Sequence, residues 1–275
     1  MSTMAGALKE LFALERRAEE RFTAHPVEGV MTRSFGGQIA AQSLLAASVT
    51  VPRGRPAHSL HGHFLRVGNS SLLLDLDVRR VRDGRGFSAR HVTASQEGRT
   101  VFEMTASFHE PEEGEDWQPG RPEAPLPEEI APFESSPFFF RLAPHLDVRP
   151  VAPLAEEEGF PLRHPYWIRL SSPVDDPVLH PCLITYFSDM GLVHASRPPG
   201  SPFAYSGFAS LDLSVWFHRP ARADEWLLHT MAPAGNHGAR GMTHGTMHTL
   251  DGTLVASISQ ETLLRPDLTG DGPAF

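Results

Sequence analysis

One acidic side chain interrupts an apolar stretch in the second half of this 275-residue chain. Between Pro181 and Leu192 the only charged residue is Asp189. A helix that is apolar on all sides is typical of a protein core, and a carboxylate in a core is costly unless its neighbours hydrogen-bond it. Asp189 is therefore either an aspartate at a helix end or a carboxylate held for proton transfer or water activation.

A second polar side chain, Gln260, falls on an apolar face near the C-terminus. Side chains alternate across a strand, so in the predicted last strand, Val255–Glu261, Gln260 shares a face with Ala256 and Ile258. An amide in that position is either satisfied by the backbone or belongs to a polar site.

The composition places these residues in a globular chain. Hydrophobic residues make up 40% and charged residues 21% of the sequence, as in soluble domains, and the length suffices for one large or two small domains. The net charge of -9 argues against nucleic acid or an anionic membrane as a partner. A single cysteine, Cys182, leaves no intrachain disulfide. With no signal-peptide pattern and no apolar run of about 20 residues, we expect a cytoplasmic location.

The first 110 residues combine helical and strand patterns. Gly36 and Gly37 precede an alanine- and leucine-rich helix predicted over Gln38–Ser48, because those residues are good helix formers and glycine permits close approach. Alternating strands follow between Ala57 and His109. A shorter amphipathic helix is predicted over Leu8–Ala18 and one weak strand within Phe22–Phe35. This order favours an antiparallel sheet wrapped around a helix.

The segment from Glu110 to Pro165 differs from both sides. It holds twelve of the 25 prolines, and prolines at this density break regular structure. We interpret it as a surface connection between two domains, with Phe138–Phe140 as an apolar anchor.

The second half repeats the order of the first. Gln38 and Asp189 are 151 positions apart, as are Ser59 and Ser210, and later pairs drift to 155. A consistent order of weak pairs indicates an internal duplication, in which the counterpart of Gln260 is Ala106. Because the other copy has alanine there, a polar site is predicted in the second half only. The later pairs are Arg85–Phe87 with Arg240–Met242, Glu97–Gly98 with Asp251–Gly252, and Thr100–Phe102 with Leu254–Ala256.

Six segments spread over nearly the whole chain form a specific set: Phe35–Gln38, His58–Arg66, Arg82–Arg90, Met104–Phe108, Leu211–His218 and Glu225–Leu228. Together they resemble acyl-CoA thioesterase II, the TesB-like family. The resemblance implies an α+β double hotdog: two helix-wrapped antiparallel sheets that form a pseudo-dimer in one chain. It implies residues 1–110 as the N-terminal repeat, 111–146 as a proline- and acid-rich linker, and 147–275 as the C-terminal repeat. The implied activity is hydrolysis of acyl-CoA to free CoA and a carboxylic acid, without a cofactor or metal.

The resemblance also assigns roles to residues. The family's aspartate follows a Tyr-x-Ser pattern, which matches Asp189, its hydroxyl residue matches Ser210, and its glutamine matches Gln260. The hydroxyl residue is commonly threonine in the family, and a histidine often stands where this chain has Leu213. These departures bear on rate and substrate preference.

A mechanism follows as a hypothesis. Asp189 accepts a proton from a water that Ser210 and Gln260 hold in line. Backbone N–H groups at a helix N-terminus polarise the thioester carbonyl, and the segment Gly36, Gly37 and Gln38 is the candidate. The CoA phosphates call for cations, and the candidates are Arg79, Arg80, Arg82 and Arg90.

Other chemistries remain open at this point. A serine hydrolase of the nucleophile-elbow type is disfavoured because no Gly-x-Ser-x-Gly occurs, and Cys182 is interpreted as a buried structural thiol. The histidines at 58, 61 and 63, and those at 244 and 248, lack the spacing of a known metal site. An acyl-CoA-binding module, or a hotdog hydratase or dehydratase using His218, stays as an alternative. A homodimer or homotetramer is expected, since exposed sheet edges favour pairing.

Overall fold

The computed structural model describes residues 4–25, 32–133, 145–151, 164–191, 195–198, 200–201 and 205–266. Phe138–Phe140 lies outside these ranges. The helices are α1 (Met4–Leu11), α2 (Gly36–Ser48) and α3 (Leu179–Ser188). The strands are β1 (Leu14–Ala18), β2 (Arg21–Ala24), β3 (Ala57–Phe64), β4 (Leu74–Asp83), β5 (Phe87–Gln96), β6 (Arg99–His109), β7 (Leu146–Pro150), β8 (Tyr166–Leu170), β9 (Tyr205–Ser210), β10 (Asp212–Phe217), β11 (Leu227–His237), β12 (Arg240–Thr249) and β13 (Leu254–Pro266).

These thirteen strands form one sheet, in the order β1-β2-β4-β5-β6-β3-β10-β13-β12-β11-β8-β7, with β9 also paired to β13. The sequence predicts two sheets, but β3 and β10 pair antiparallel along five residues of each strand and join the two halves. An unpaired strand edge leaves its N–H and C=O groups open to other chains. Pairing β3 with β10 satisfies both central edges at once.

The strand order and two bulges give the internal repeat a structural form. In the first half the order is β4-β5-β6-β3, and the second half has β11-β12-β13-β10 in the same relation. The bulge after Arg80 has a counterpart after Pro233, and the bulge after Ala94 one after Met247, each pair 153 positions apart. The pairing of Ser59 with Ser210 is wrong by two residues. Ser210 lies opposite Thr262 on β13 as Ala57 lies opposite Phe108 on β6, so the counterpart of Ser210 is Ala57.

Helices α2 and α3 pack against each other, and their buried side chains belong to the main core with those of the sheet. In α2 the predicted alanines and leucines are buried, and small side chains let the two helix backbones approach closely. The approach is close at Gly37, where a Cβ would lie 2.7 Å from the carbonyl oxygen of Tyr186. The start of α2 and the end of α3 thus meet inside the protein.

Two sequence predictions about helices need correction. Leu14–Ala18 is strand β1, not a continuation of α1, because its backbone pairs with β2, which in turn pairs with β4. The predicted helix over Pro181–Leu192 ends at Ser188, so Asp189 is its C-cap. Gly191 follows with a positive φ of 76°, a conformation that ends helices and suits glycine. Leu192 lies outside the described residues.

Residues 116–133 lie against the second half, whereas Glu110 still bonds the Gly86 carbonyl of the first half. Gln118 bonds Gly252 and Leu254 through its side-chain amide, and the Trp167 indole N–H donates to the Pro125 carbonyl at 2.8 Å. One 3₁₀ turn, Pro127–Glu129, is the regular element in this stretch. In the described part of the chain, no helix is long and apolar enough to cross a membrane.

Candidate active site

The site begins with Asp189, at the point where α3 ends. Its backbone adopts φ -93° and ψ 0°, and its side chain lies at the N-terminus of α2. The residue is 8% exposed, so its carboxylate depends on protein groups for hydrogen bonds. The prediction of a buried acid in the core is confirmed, with the qualification that the acid follows the helix.

Three groups donate hydrogen bonds to this carboxylate. Gln260 donates from Nε2 to Oδ1 at 2.7 Å, and the Gly37 backbone N–H donates to Oδ2 at 2.7 Å. Ser210 donates from Oγ to Oδ1 at 3.3 Å, which is long for a hydroxyl donor. The structure therefore brings together the acid, the amide and the hydroxyl that the sequence indicated, with the serine held most loosely.

The surroundings of Asp189 set its charge. Burial raises the pKa of Asp189 to about 6, and the hydrogen bonds from Gln260, Gly37 and Ser210 act in the opposite direction. The positive end of the α2 dipole also favours the anion. The result is a carboxylate that is ionised at neutral pH and is more basic than an exposed aspartate, as a proton acceptor requires.

The strands fix the orientation of Gln260. It is fully buried on β13, on the inward face predicted by alternation. Its Oε1 lies 3.4 Å from the Thr262 hydroxyl, and its backbone carbonyl accepts from the Thr243 hydroxyl at 3.2 Å. With a donor facing Oε1, the amide presents Nε2 to the carboxylate.

Glycine is required where α2 meets Asp189. A Cβ on Gly36 would lie 2.8 Å from Asp189 Oδ2 and 3.0 Å from the Phe64 ring. A Cβ on Gly37 would meet the Phe35 ring at 2.6 Å as well as the backbone of Tyr186. Only residues without a side chain allow the helix N-terminus to approach the acid this closely.

The predicted oxyanion segment is only partly open. The N–H of Gly37 is engaged by Asp189, and that of Gln38 bonds the Phe35 carbonyl at 3.2 Å. Among the residues that the structure describes, the N–H of Gly36 has no acceptor. Gly36 is thus the donor of this segment that a ligand can use.

The predicted phosphate-binding arginines separate into two groups. Arg90 is fully buried and bonds Asp83 and Thr50, so we correct its assignment, because a buried, paired guanidinium cannot reach a CoA phosphate. Arg90 on β5 lies opposite Ala106 on β6, and Thr243 on β12 lies opposite Gln260 on β13. Because Ala106 is the counterpart of Gln260, Arg90 occupies the first-half position that corresponds to Thr243. The first-half counterpart of the site therefore contains a structural ion pair.

The other three arginines lie on β4 and are exposed. Arg80 pairs with Glu19 and Glu20. Since β4 is five strand positions from β13 in the sheet, they lie about 24 Å from Gln260's strand, measured along the sheet. Arg79 and Arg82 stay candidates.

Two nearby groups gave no sequence signal. Tyr166 on β8 donates a hydrogen bond to the carbonyl of Met190, the residue after Asp189, and also contacts His229 on β11. Both side chains are fully buried. Each lies in an apolar strand, where a lone tyrosine or histidine is ordinary, so only the three-dimensional contact reveals them.

The other candidate sites do not assemble. Burial raises the pKa of the Cys182 thiol, which disfavours a reactive thiolate. His58, His61 and His244 bond neighbouring serines. In the described ranges no group of three or more His, Cys, Asp or Glu side chains could hold a metal ion.

Comparison with protein-family models matches the chain in two parts. Residues 25–109 match the acyl-CoA thioesterase N-terminal domain, and residues 111–264 match the acyl-CoA thioesterase C-terminal domain. Together these matches cover most of the sequence.

Individual relatives agree. The chain is 32% identical to acyl-CoA thioesterase 2 of Haemophilus influenzae over 96% of this chain and 99% of that protein. It is 31% identical to human acyl-coenzyme A thioesterase 8 over 85% of this chain and 81% of that protein.

Superposition on solved structures extends the comparison from sequence to fold. Acyl-CoA thioesterase II TesB2 from Mycobacterium marinum superposes with a TM-score of 0.81 at 36% identity, covering 95% of this chain and 99% of that chain. A protein of Alicyclobacillus acidocaldarius described as having a hot dog fold superposes with a TM-score of 0.75 at 20% identity, covering 95% and 99%; that likeness bears on the fold alone. The chain therefore belongs to the acyl-CoA thioesterase II, TesB-like family of thioester hydrolases.

Proposed function

We propose that this chain hydrolyses acyl-CoA thioesters through a water activated by Asp189, with Ser210 and Gln260 as its partners. The observation that carries the proposal is the buried carboxylate that accepts hydrogen bonds from Gln260, Ser210 and Gly37 at once. The donors offset the cost of burying the charge, and a buried carboxylate whose pKa is raised while several groups hold it in place is typical of a functional site.

The chemistry runs in two steps. Asp189 takes a proton from water as the water oxygen attacks the thioester carbon, and the carbonyl oxygen becomes an oxyanion that the Gly36 N–H stabilises. The tetrahedral intermediate then collapses, the carbon–sulfur bond breaks, and the CoA sulfur leaves with the proton returned by Asp189. The products are a carboxylic acid and free CoA, and no redox partner is needed.

The serine is the group best placed to share the water. Its Oγ lies 3.3 Å from Asp189 Oδ1, so a water that bridges the two replaces a weak contact with two normal hydrogen bonds. Gln260 keeps Oδ1 oriented meanwhile. Serine retains the donor and acceptor of threonine but lacks the methyl group that restricts the χ1 rotamer.

We extend the proposal to the architecture. Two repeats, 1–110 and 147–275, would form a double hotdog pseudo-dimer, with 111–146 as the linker. The repeated strand order and the paired bulges support this. The contacts of residues 116–133 with the second half support grouping much of the linker with that repeat. A cytoplasmic location and a homodimer or homotetramer stay predictions.

The test is release of free CoA. The purified protein is incubated with acyl-CoAs of increasing chain length, and a thiol reagent reports the CoA. Asp189→Asn is expected to lower turnover by about 10²-fold or more with unfolding behaviour still cooperative. Asp77→Asn, at an exposed ion pair with Arg21, is the matched control and should keep full activity. Near-normal hydrolysis by Asp189→Asn would reject the assignment.

The same assay separates the alternatives. A binding module would hold acyl-CoA without releasing thiol, and a hydratase would change the acyl group while leaving the thioester intact. The histidine that a hydratase would use, His218, bonds Ser257 at 2.8 Å. No observation on the described residues favours either alternative.

A further inference from the structure

The carbonyl of Met190 accepts a hydrogen bond from a buried phenol. Tyr166 Oη lies 2.9 Å from the Met190 oxygen, and the tyrosine is fully buried on β8. Burial and, secondarily, the charge of Asp189 raise the pKa of Tyr166. The phenol therefore stays protonated and remains a donor at every pH at which the protein is folded and active.

His229 completes this arrangement. It lies opposite Tyr166 in the pairing of β8 and β11, and its Nδ1 is 2.8 Å from Tyr166 Oη. The Nε2 atom of the half-buried His164 lies 3.3 Å from His229 Nδ1. Burial lowers the pKa of His229 to about 3, so the ring is neutral. One tautomer of His229 satisfies both hydrogen bonds of the Tyr166 hydroxyl. The Nδ1–H of His229 donates to the phenol oxygen, and the phenol O–H donates to the Met190 carbonyl.

The bonded carbonyl matters because of where it lies. Asp189 follows the last residue of α3, and the chain must then turn through Gly191 at φ 76°. The N–H of Met190 bonds the Phe187 carbonyl at 3.0 Å. With Tyr166 on its carbonyl as well, Met190 is held at both ends of its backbone, which fixes the Cα of the adjacent Asp189.

We propose that Tyr166 and His229 are positioning residues for the reaction, a buried phenol–imidazole pair that fixes the turn carrying Asp189. The inference rests on the proposed function, since it assigns these residues a task only if Asp189 activates the water. Neither residue reaches the carboxylate by a hydrogen bond in the described structure. They act through the backbone of Met190.

The first experiment removes the phenol oxygen alone. Tyr166→Phe is expected to lower kcat about tenfold, the effect of one lost hydrogen bond on a barrier, and to leave KM within about twofold. Thr185→Val is the matched control. It deletes a buried hydroxyl within α3 itself, one that bonds the Pro181 carbonyl toward the other end of the helix, and should leave kcat unchanged.

The second experiment uses rescue at His229. The side-chain amide nitrogen of asparagine falls near the position of Nδ1, so His229→Asn keeps a donor to the phenol, whereas His229→Leu removes it. We expect near-normal kcat for His229→Asn and a loss like that of Tyr166→Phe for His229→Leu. The double variant Tyr166→Phe/His229→Leu should lose little more than either single variant, because the pair acts as one unit.

A pH profile separates positioning from general destabilisation. If the turn loosens, the hydrogen bonds from Gln260 and Gly37 that lower the pKa of Asp189 lengthen. The apparent pKa of kcat/KM should therefore rise above about 6 in Tyr166→Phe and stay in place in Thr185→Val.

The outcomes distinguish the two proposals. Normal hydrolysis by Asp189→Asn rejects the proposed function. An inactive Asp189→Asn together with a Tyr166→Phe protein of unchanged kcat and unchanged pH profile rejects the positioning role alone. Equal losses in His229→Asn and His229→Leu would also overturn it.

Discussion

The charge state of Asp189 links its burial to the rate. Because burial raises its pKa to about 6, protonated Asp189 predominates below that pH and cannot accept a proton from water. We predict that kcat/KM rises about tenfold per pH unit up to pH 6 and levels off above it. Initial rates between pH 4.5 and 8 check this, and a flat profile through pH 6 would contradict it.

The same shift predicts a stability effect of known sign. The folded state binds the proton of Asp189 more tightly than the unfolded chain, so the free energy of unfolding falls as pH rises from about 4 to about 6. Urea unfolding of the wild type and Asp189→Asn at pH 4.5 and 7 isolates this contribution. The free energy of unfolding of the variant, relative to that of the wild type, should increase by about 2 kcal/mol from pH 4.5 to pH 7. A difference that does not change with pH would show that Asp189 titrates normally.

Gly36, which has no side chain, also determines where the Asp189 carboxylate lies. Gly36→Ala would place its Cβ 2.8 Å from Asp189 Oδ2, so the carboxylate must move away from its donors. We predict a loss of turnover of about 10- to 100-fold, measured as CoA release. Gly114→Ala, where a Cβ meets nothing within 4 Å, is the control. Full activity in Gly36→Ala would mean that the position of the carboxylate is not critical.

At the scale of elements, sequence patterns predict what local forces decide. The alanine-rich α2 and the alternating strands β3–β6 match prediction closely, because helix propensity and a two-residue period are local properties. Leu14–Ala18 does not, since its residues suit a helix and only pairing with β2 makes it a strand. The docking of residues 116–133 on β8 and β13 likewise depends on contacts far along the chain.

The pairing of β11 with β12 gives a prediction at this scale. A Cβ on Gly245 would lie 1.9 Å from the carbonyl oxygen of Thr230, a backbone atom that can move only if the strands separate. Gly245→Ala should cost about 1–3 kcal/mol or more in the free energy of unfolding. Gly235→Ala, on β11 with open space around it, should change stability by less than about 0.5 kcal/mol. Equal midpoints in urea for the two variants would contradict the close approach.

At the scale of the whole molecule, the site forms only because the two halves pack against each other. Gly37 and Asp189 are 152 positions apart, and Gln260 lies another 71 beyond Asp189. The resemblance to a family indicated the acid, the hydroxyl and the amide, but no local pattern gives their distances. The buried pair of Tyr166 and His229 was out of reach for the same reason, since strands β8 and β11 bring it together.

This assembly predicts that the covalent link between the halves is dispensable once the protein has folded. A protease site inserted between Glu113 and Gly114, both exposed, allows cleavage after folding. We expect the two fragments to co-elute on gel filtration and to retain CoA release, because β3 still pairs with β10 and α2 still packs on α3. After denaturation and refolding, recovery of activity should depend on fragment concentration, since association is then bimolecular. Separation of the fragments under native conditions would show that the pairing of β3 with β10 is too weak to keep the two halves of the site associated.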